Sequence, residues 1–341
     1  MIIWPLRLST GFGFFKQDSQ IINYNKKNIG EKMSRNYAVG SRNLKRAGVM
    51  FLNRSSLSFS SKATLSMRWG KFCEYAKSKH INKLETITYD LVINYGQHLQ
   101  RRINEDSLSP ATAQNYVSSV NTVMSLTPSN WKPVSPTANC LLDKRTRIAS
   151  YSKSTSEKSH LIVTSEASNN VKNLMDFQRY LGLRFKESCL LDAKQALREA
   201  IDHKLINVIK GTKGGRRRQV PASKKAIEVL KHAAGIQDGK SLIPKNLSYK
   251  EFRNKCYQEV RNKDFNFHGE RHWYAQNRYQ ELTKAPPAIV VNWSRKERFN
   301  KLAKFLNIEI PEAKKVDQNA RLQIAYELGH SREEITNAYL G

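Results

Sequence analysis

Apolar residues recur at helical spacing between residues 60 and 126. Leu65, Trp69, Phe72 and Ala76 fall at i, i+4, i+7 and i+11, sharing one face of a predicted helix that carries Lys62, Arg68, Lys71 and Lys77 elsewhere. A second helix is predicted from near Thr88, with Leu91, Tyr95 and Leu99 on one stripe before Arg101 and Arg102. A third has Ser109 as N-cap and Pro110 as first helical residue, followed by Ala113, Val117, Val120 and then Val123 or Met124. The stretch SYSKSTSEKSH, residues 150–160, has no apolar period and is rich in Ser and Lys, which predicts a linker. Beyond it a helical pattern runs through Val171, Leu174, Met175 and Leu181 and resumes at Arg184. LINVIK and RRQVPA are strand-like runs on either side of GTKGG and predict a β-hairpin. Helices return in SKKAIEVLKHAA, YKEFRNKCYQEVRNK and HGERHWYAQNRYQEL. The fold class is mainly α with one small hairpin (α+β), in two domains: a helical module over 36–149 and, after the 150–160 linker, a second domain over 161–341. Residues 1–35 are polar and irregular, with Met33 as a second plausible start, and are read as a flexible extension without a catalytic part.

Charge narrows the possible partners. Lys plus Arg number 58 against 29 Asp plus Glu, a formal charge of +29, far beyond what solubility needs. A polyanion is the expected partner, although charge alone does not separate nucleic acid from an anionic membrane or a ribosomal surface. With 39% hydrophobic and 9% aromatic residues the chain can fill one or two cores, which argues against wholesale disorder. No apolar run reaches the roughly 18 residues that span a bilayer. The opening MIIWPLRLSTGFGFF lacks a basic start and is broken by Pro5 and Arg7, unlike a signal peptide. Cys73, Cys140, Cys189 and Cys256 are scattered without CxxC pairs or nearby His, so neither a zinc site nor a disulfide framework is expected.

Several residues could carry chemistry, and each also has a plainer reading. His268 and Arg271 of HGER stand at i and i+3 on one helix face and suit a phosphate, yet H-x-x-R arises easily by chance in so basic a chain. Arg184, read as lying in an apolar helix, has a pairing partner in Glu187 one turn on. Lys213 sits at a Gly-rich turn, His330 follows the helix-ending Gly329, and Tyr339 lies in an amphipathic helix where a core role is common. Ser331 and Glu334 form an S-x-x-E pattern that predicts a helix directly after His330, with Ile335 and Tyr339 on adjacent turns.

Taken in order, these residues resemble the tyrosine recombinase, or phage-type integrase, family from about residue 60 to the end. GLR at 182–184 with Glu187 resembles the first arginine box. KGTKGGRRRQVPA resembles the family's β-hairpin, whose lysine stands eight residues before the proline and is here Lys213. HGERH resembles the H-x-x-R box, and LGHSREEITNAYL the tyrosine box, with nine residues from His330 to Tyr339. The helical module resembles the family's core-binding, DNA-binding domain. The resemblance implies a site of Arg184, Lys213, His268, Arg271, His330 and Tyr339. Transesterification at a DNA phosphodiester needs a nucleophile, neutralisation of the pentavalent phosphorane and a proton for the leaving 5′ oxygen. Tyr339 would attack and hold a 3′-phosphotyrosine, Arg184 and Arg271 would clamp the non-bridging oxygens, and Lys213 would protonate the leaving oxygen. His268 would act as acid or base near the phenol, and His330 would hydrogen-bond the phosphate.

No cofactor or metal is implied. The expected partner is double-stranded DNA, bound as a homo-tetramer, with accessory DNA-bending or directionality proteins, in the nucleoid-associated cytoplasm of a bacterium and not at a membrane. A type IB topoisomerase-like relaxing enzyme and a catalytically silent DNA-binding relative are the alternatives. Residues 272–329 separate Arg271 from His330, 58 in all, more than in compact family members. The excess, a basic insert over about 284–318, resembles a variant integrase group of bacterial mobile elements and is expected to add DNA or partner contacts. Only Leu340 and Gly341 follow Tyr339, so cyclic exchange of a terminal helix between protomers is not expected.

Overall fold

The computed structural model describes residues 35–146 and 148–341. It divides into two compact units, one ending at Arg145 and the other beginning at Thr146. The expected N-terminal extension lies, apart from Arg35, outside the described residues.

The first unit contains α1 (Leu44–Arg54), α2 (Phe59–Ser78), α3 (Tyr89–Asn104) and α4 (Pro110–Met124). Ser58, Thr88 and Ser109 cap α2, α3 and α4, their hydroxyls accepting from the backbone N–H groups of Ser61, Leu91 and Thr112 that no helical carbonyl can reach. The expected stripes face inward: Trp69, Phe72, Tyr95, Leu99, Val117 and Val120 are buried, while Leu65 and Leu91 stay half-buried. Helix α1, unmarked by the periodicity above, packs across α2. Trp69 Nε1 donates to the Lys45 carbonyl at 3.2 Å, and a Cβ on Gly48 would collide with the same indole.

The second unit begins with α5 (Glu157–Glu166), α6 (Asn169–Leu181), α7 (Phe185–Leu190) and α8 (Ala193–His203). An antiparallel pair follows, β1 (Leu205–Val208) and β2 (Arg218–Pro221), in a register that sets Val208 opposite Arg218. Then come α9 (Lys224–Ile236), α10 (Tyr249–Glu259), α11 (Phe267–Thr283), α12 (Arg298–Leu306), α13 (Ile310–Glu327) and the single turn α14 (Asn337–Leu340). Leu174, Phe177, Val220, Leu230, Phe252 and Ile324 anchor one core, to which Tyr339 and Leu340 also belong. Helix α11 packs between α6 and α13, the arrangement that positions the site described below.

Three local expectations differ from the structure. The stretch expected as linker is part of the second unit: the Thr155 backbone N–H donates to the Gly269 carbonyl at 3.3 Å, and His160 is buried between Asp176 and Glu270. Its buried contacts are polar or ionic, so a count of apolar residues misses them. Arg184 is not inside a helix. Gly182 ends α6 in the left-handed region, at φ +58°, and Arg184 caps the start of α7 with its N–H donating to Glu187 Oε2 at 2.7 Å. No capping box forms at Ser331 either. The Gly329 and His330 N–H groups turn back to the carbonyls of Tyr326 and Ala325, both at 2.8 Å, closing α13 in a Schellman arrangement. With the backbone committed to that closure, helical geometry restarts only in a 3-10 turn at Glu333–Thr336, which runs on into α14. The 284–318 segment folds as a loop followed by α12 and the first half of α13, around Ala285, Leu302, Ala303 and Ala313. Among the described residues no helix is long and apolar enough to cross a membrane. The four cysteines are buried free thiols.

Candidate active site

Helix α11 presents His268 and Arg271 one turn apart, its N-terminus fixed by Asn266 Oδ1 accepting from the His268 N–H at 2.8 Å. Arg271 is fully buried. Its Nε–H donates to Tyr339 Oη at 3.4 Å, and its two Nη groups donate to the carbonyls of Gly182 and Leu328. Arg184 is partly exposed, with Nη1 on Glu187 Oε1 at 2.8 Å and Nη2 on the Leu328 carbonyl at 3.0 Å. The two guanidinium groups therefore share one acceptor. The carbonyls of Gly182 and Leu328 are orphans at the C-termini of α6 and α13, where backbone dipoles also favour a cation. The left-handed glycines that end these helices turn the carbonyls toward the arginines. A Cβ at Gly329, φ +68°, would press on Arg218 and Arg184 within 3.1–3.3 Å.

Glu187 is the counter-charge. Arg218, buried on β2, donates from Nη1 and Nη2 to the two Glu187 oxygens at 2.9 and 2.8 Å and from Nε to the Glu327 carbonyl at 2.6 Å. Burial by itself raises the Glu187 pKa; the hydrogen bonds and charge of Arg218, with those of Arg184, outweigh it and hold the carboxyl at about 2. Burial lowers Arg271 to about 10, so it remains a cation at neutral pH.

Three imidazoles surround the phenol. The ring centroids of His272, His268 and His330 lie 4.6, 6.0 and 6.3 Å from that of Tyr339. Burial, followed by the charges of Arg271, Arg184, Arg218 and Lys213, pushes His330 down to about 4, and its Nε2 is buried without a hydrogen-bond partner among the described residues. Desolvation first and then the neighbouring cations lower His268 as well, and His272 falls to about 4. Near neutral pH all three rings are uncharged, able to donate from one nitrogen and accept at the other. The site thus combines a phenol, fixed guanidinium groups and neutral acid–base groups, a set suited to an anion undergoing attack.

Residues 143–277 match the family model for integrases. This match marks an integrase region within the chain. Comparison with curated proteins gives no significant match. Among solved structures, the fold is similar to that of the Tn1549 transposon integrase in complex with a circular intermediate DNA: 11% identity, 88% of this chain and 96% of that chain covered, TM-score 0.50. A lambda integrase tetramer bound to a Holliday junction is also similar, at 14% identity, with 81% and 76% covered and a TM-score of 0.46.

The structure gathers Arg184, His268, Arg271, His330 and Tyr339 into one place. Lys213 is not in contact with them. It stands exposed on the hairpin's 3-10 turn, makes no hydrogen bond or ion pair among the described residues, and reaches the site through its charge on His330. Sequence order and spacing do not single out Arg218, His272, Glu327 or Gln276, whose Nε2 donates to the Tyr339 carbonyl at 3.0 Å. Arg218 had a signal, because strand alternation puts it on the same inward face as Val220. Glu327 had none. It accepts from Tyr274 Oη at 2.7 Å and pairs with Arg278 at 3.1 Å, across a distance of about fifty positions along the chain.

Proposed function

We propose that this chain is a tyrosine recombinase that cuts and rejoins double-stranded DNA at specific sites through a 3′-phosphotyrosine on Tyr339, in the service of a mobile genetic element. The observation that carries this residue assignment is the Arg271 Nε–H on Tyr339 Oη, with Arg184 held on the same Leu328 carbonyl. A donor on the phenol oxygen favours its phenolate, and the same cations lie where the phosphate would gain negative charge.

The phenol oxygen of Tyr339 attacks phosphorus and passes its proton to a neutral imidazole, His268 being the one at the open rim. Arg184 and Arg271 hold the non-bridging oxygens through planar forks that stay charged throughout. His330 donates to the same phosphate from its unpaired nitrogen. Lys213 swings in with its hairpin turn and delivers a proton to the departing 5′ oxygen. The phosphodiester energy is kept in the tyrosyl ester, so the reverse attack by a 5′ hydroxyl rejoins the strand without ATP. The helical unit reads the site, a homo-tetramer holds the paired sites, and DNA-bending or directionality proteins set the outcome.

Because much of the affinity comes from phosphates, binding weakens steeply as salt rises. The direct test is covalent capture. Wild-type protein incubated with a randomised duplex pool leaves adducts stable to SDS, and the DNA recovered from them defines the site. Tyr339→Phe binds the recovered duplex and forms none. Adducts of normal yield from Tyr339→Phe refute the assignment.

A further inference from the structure

Tyr339 belongs to a helix of a single turn, Asn337–Leu340, too short to hold its own geometry. Its placement must come from what packs around it. The carbonyl of Tyr339 accepts from Gln276 Nε2 at 3.0 Å, and that of Leu340 from the Ile289 N–H at 3.1 Å. The strongest polar tie comes from α13. Asp317 and Arg321 are buried one turn apart, with Arg321 Nε on the Asp317 oxygens at 3.0 and 2.9 Å. Tyr279 Oη of α11 donates to Asp317 Oδ1 at 2.8 Å, which locks the pair to the helix that also carries Arg271. Arg321 spends its remaining donors on the tyrosine's own turn: Nη1 on Asn337 Oδ1 at 2.9 Å and Nη2 on the Gly341 carbonyl at 2.9 Å.

We infer that the buried Asp317–Arg321 pair is a positioning device for the nucleophile, so that the 284–318 segment, through α13, sets the reach of Tyr339 to the scissile phosphate. The inference rests on the recombinase reading. Asp317 holds the guanidinium plane, and that plane grips the tyrosine's turn on both sides of residue 339. Lysine cannot reproduce the grip, because a single ammonium lacks the spread of a fork across Asp317, Asn337 and Gly341. An ion pair serving stability alone would have no need to direct two of its donors to the residues that flank Tyr339.

The experiment is single-turnover cleavage by the full chain, on duplexes that the wild-type protein has selected from a randomised pool by covalent capture. It reads rate constant and amplitude separately. Arg321→Ala lowers the rate constant roughly 100-fold, the size of effect that a misplacement near 1 Å produces, with DNA affinity and the amplitude of the folded fraction retained. Arg321→Lys is intermediate. Asn337→Ala cuts one of Arg321's two contacts with the tyrosine's turn, leaves the Asp317 cluster and the Gly341 contact intact and slows cleavage about 10-fold. A merely structural pair would instead lower amplitude and melting temperature at an unchanged rate constant. That result overturns the inference, and where Arg321→Ala does not fold, a wild-type rate constant in Asn337→Ala overturns it equally. If the wild-type protein itself yields no adduct, it is the recombinase reading that fails.

Discussion

Replacing Glu187 by Gln removes the one negative charge that holds Arg184 and Arg218 while keeping the side chain's shape. The carboxylate is fully buried and accepts from both arginines at 2.8–2.9 Å. Its pKa is about 2 against an ordinary 4.5, a difference of about 2.5 pH units that corresponds to about 3 kcal/mol at neutral pH. Removing one partner of a buried pair, with Arg218 left uncompensated, belongs to the same range of about 3–5 kcal/mol. The sign follows from the depressed pKa: the stabilisation is complete above about pH 4.5 and fades as pH falls toward 2. At pH 3 about 1 kcal/mol of it should remain. Equilibrium urea unfolding of wild type and Glu187→Gln at pH 7 and pH 3 reads the difference directly. A loss below about 1 kcal/mol at pH 7, or a loss equal at both pH values, would refute the view that Glu187 neutralises the two arginines.

Two further outcomes follow from the geometry. Gly182→Ala puts a Cβ at φ +58° and 2.6 Å from the Tyr274 ring, so it costs at least about 2 kcal/mol by thermal or urea unfolding. It also slows cleavage, because the Gly182 carbonyl anchors Arg271; a variant of wild-type stability and rate would contradict both points. The pKa values of His268, His272 and His330 are all lowered, by burial and by nearby cations, so these rings titrate only below their ordinary range. Single-turnover cleavage should therefore show no histidine inflection above about pH 6.5, and a clear step near pH 7 that His330→Asn abolishes would count against neutral imidazoles.

Where burial is apolar and local, the chain declares its structure. Trp69, Phe72 and Ala76, or Ser109 with Pro110, mark their helices through spacing and capping alone, and the hairpin is marked by alternation around GTKGG. The candidate site is marked differently: Arg184, Lys213, His268, Arg271, His330 and Tyr339 are picked out by their order and intervals, and the fold brings five of them together while Lys213 stays on the exposed hairpin turn. What stayed hidden depends on charge buried against charge. His160 reads as the end of a polar linker because Asp176 and Glu270 become its neighbours only after folding. Ser331 and Glu334 match a capping pattern, but closure of α13 through Gly329 and His330 uses the backbone first. Asp317 and Arg321 look like ordinary solvated helix charges at i and i+4, and only the packing of α13 against α11 and α14 turns them inward.

Mass spectrometry of the captured adduct after nuclease and protease digestion reads which residue carries the DNA. With Tyr339 as the nucleophile, a nucleotide appears on the peptide containing Tyr339, linked through its 3′ phosphate, with a free 5′ hydroxyl on the released strand that polynucleotide kinase can label. Attachment at any other residue, or a 5′-linked adduct, would contradict that assignment.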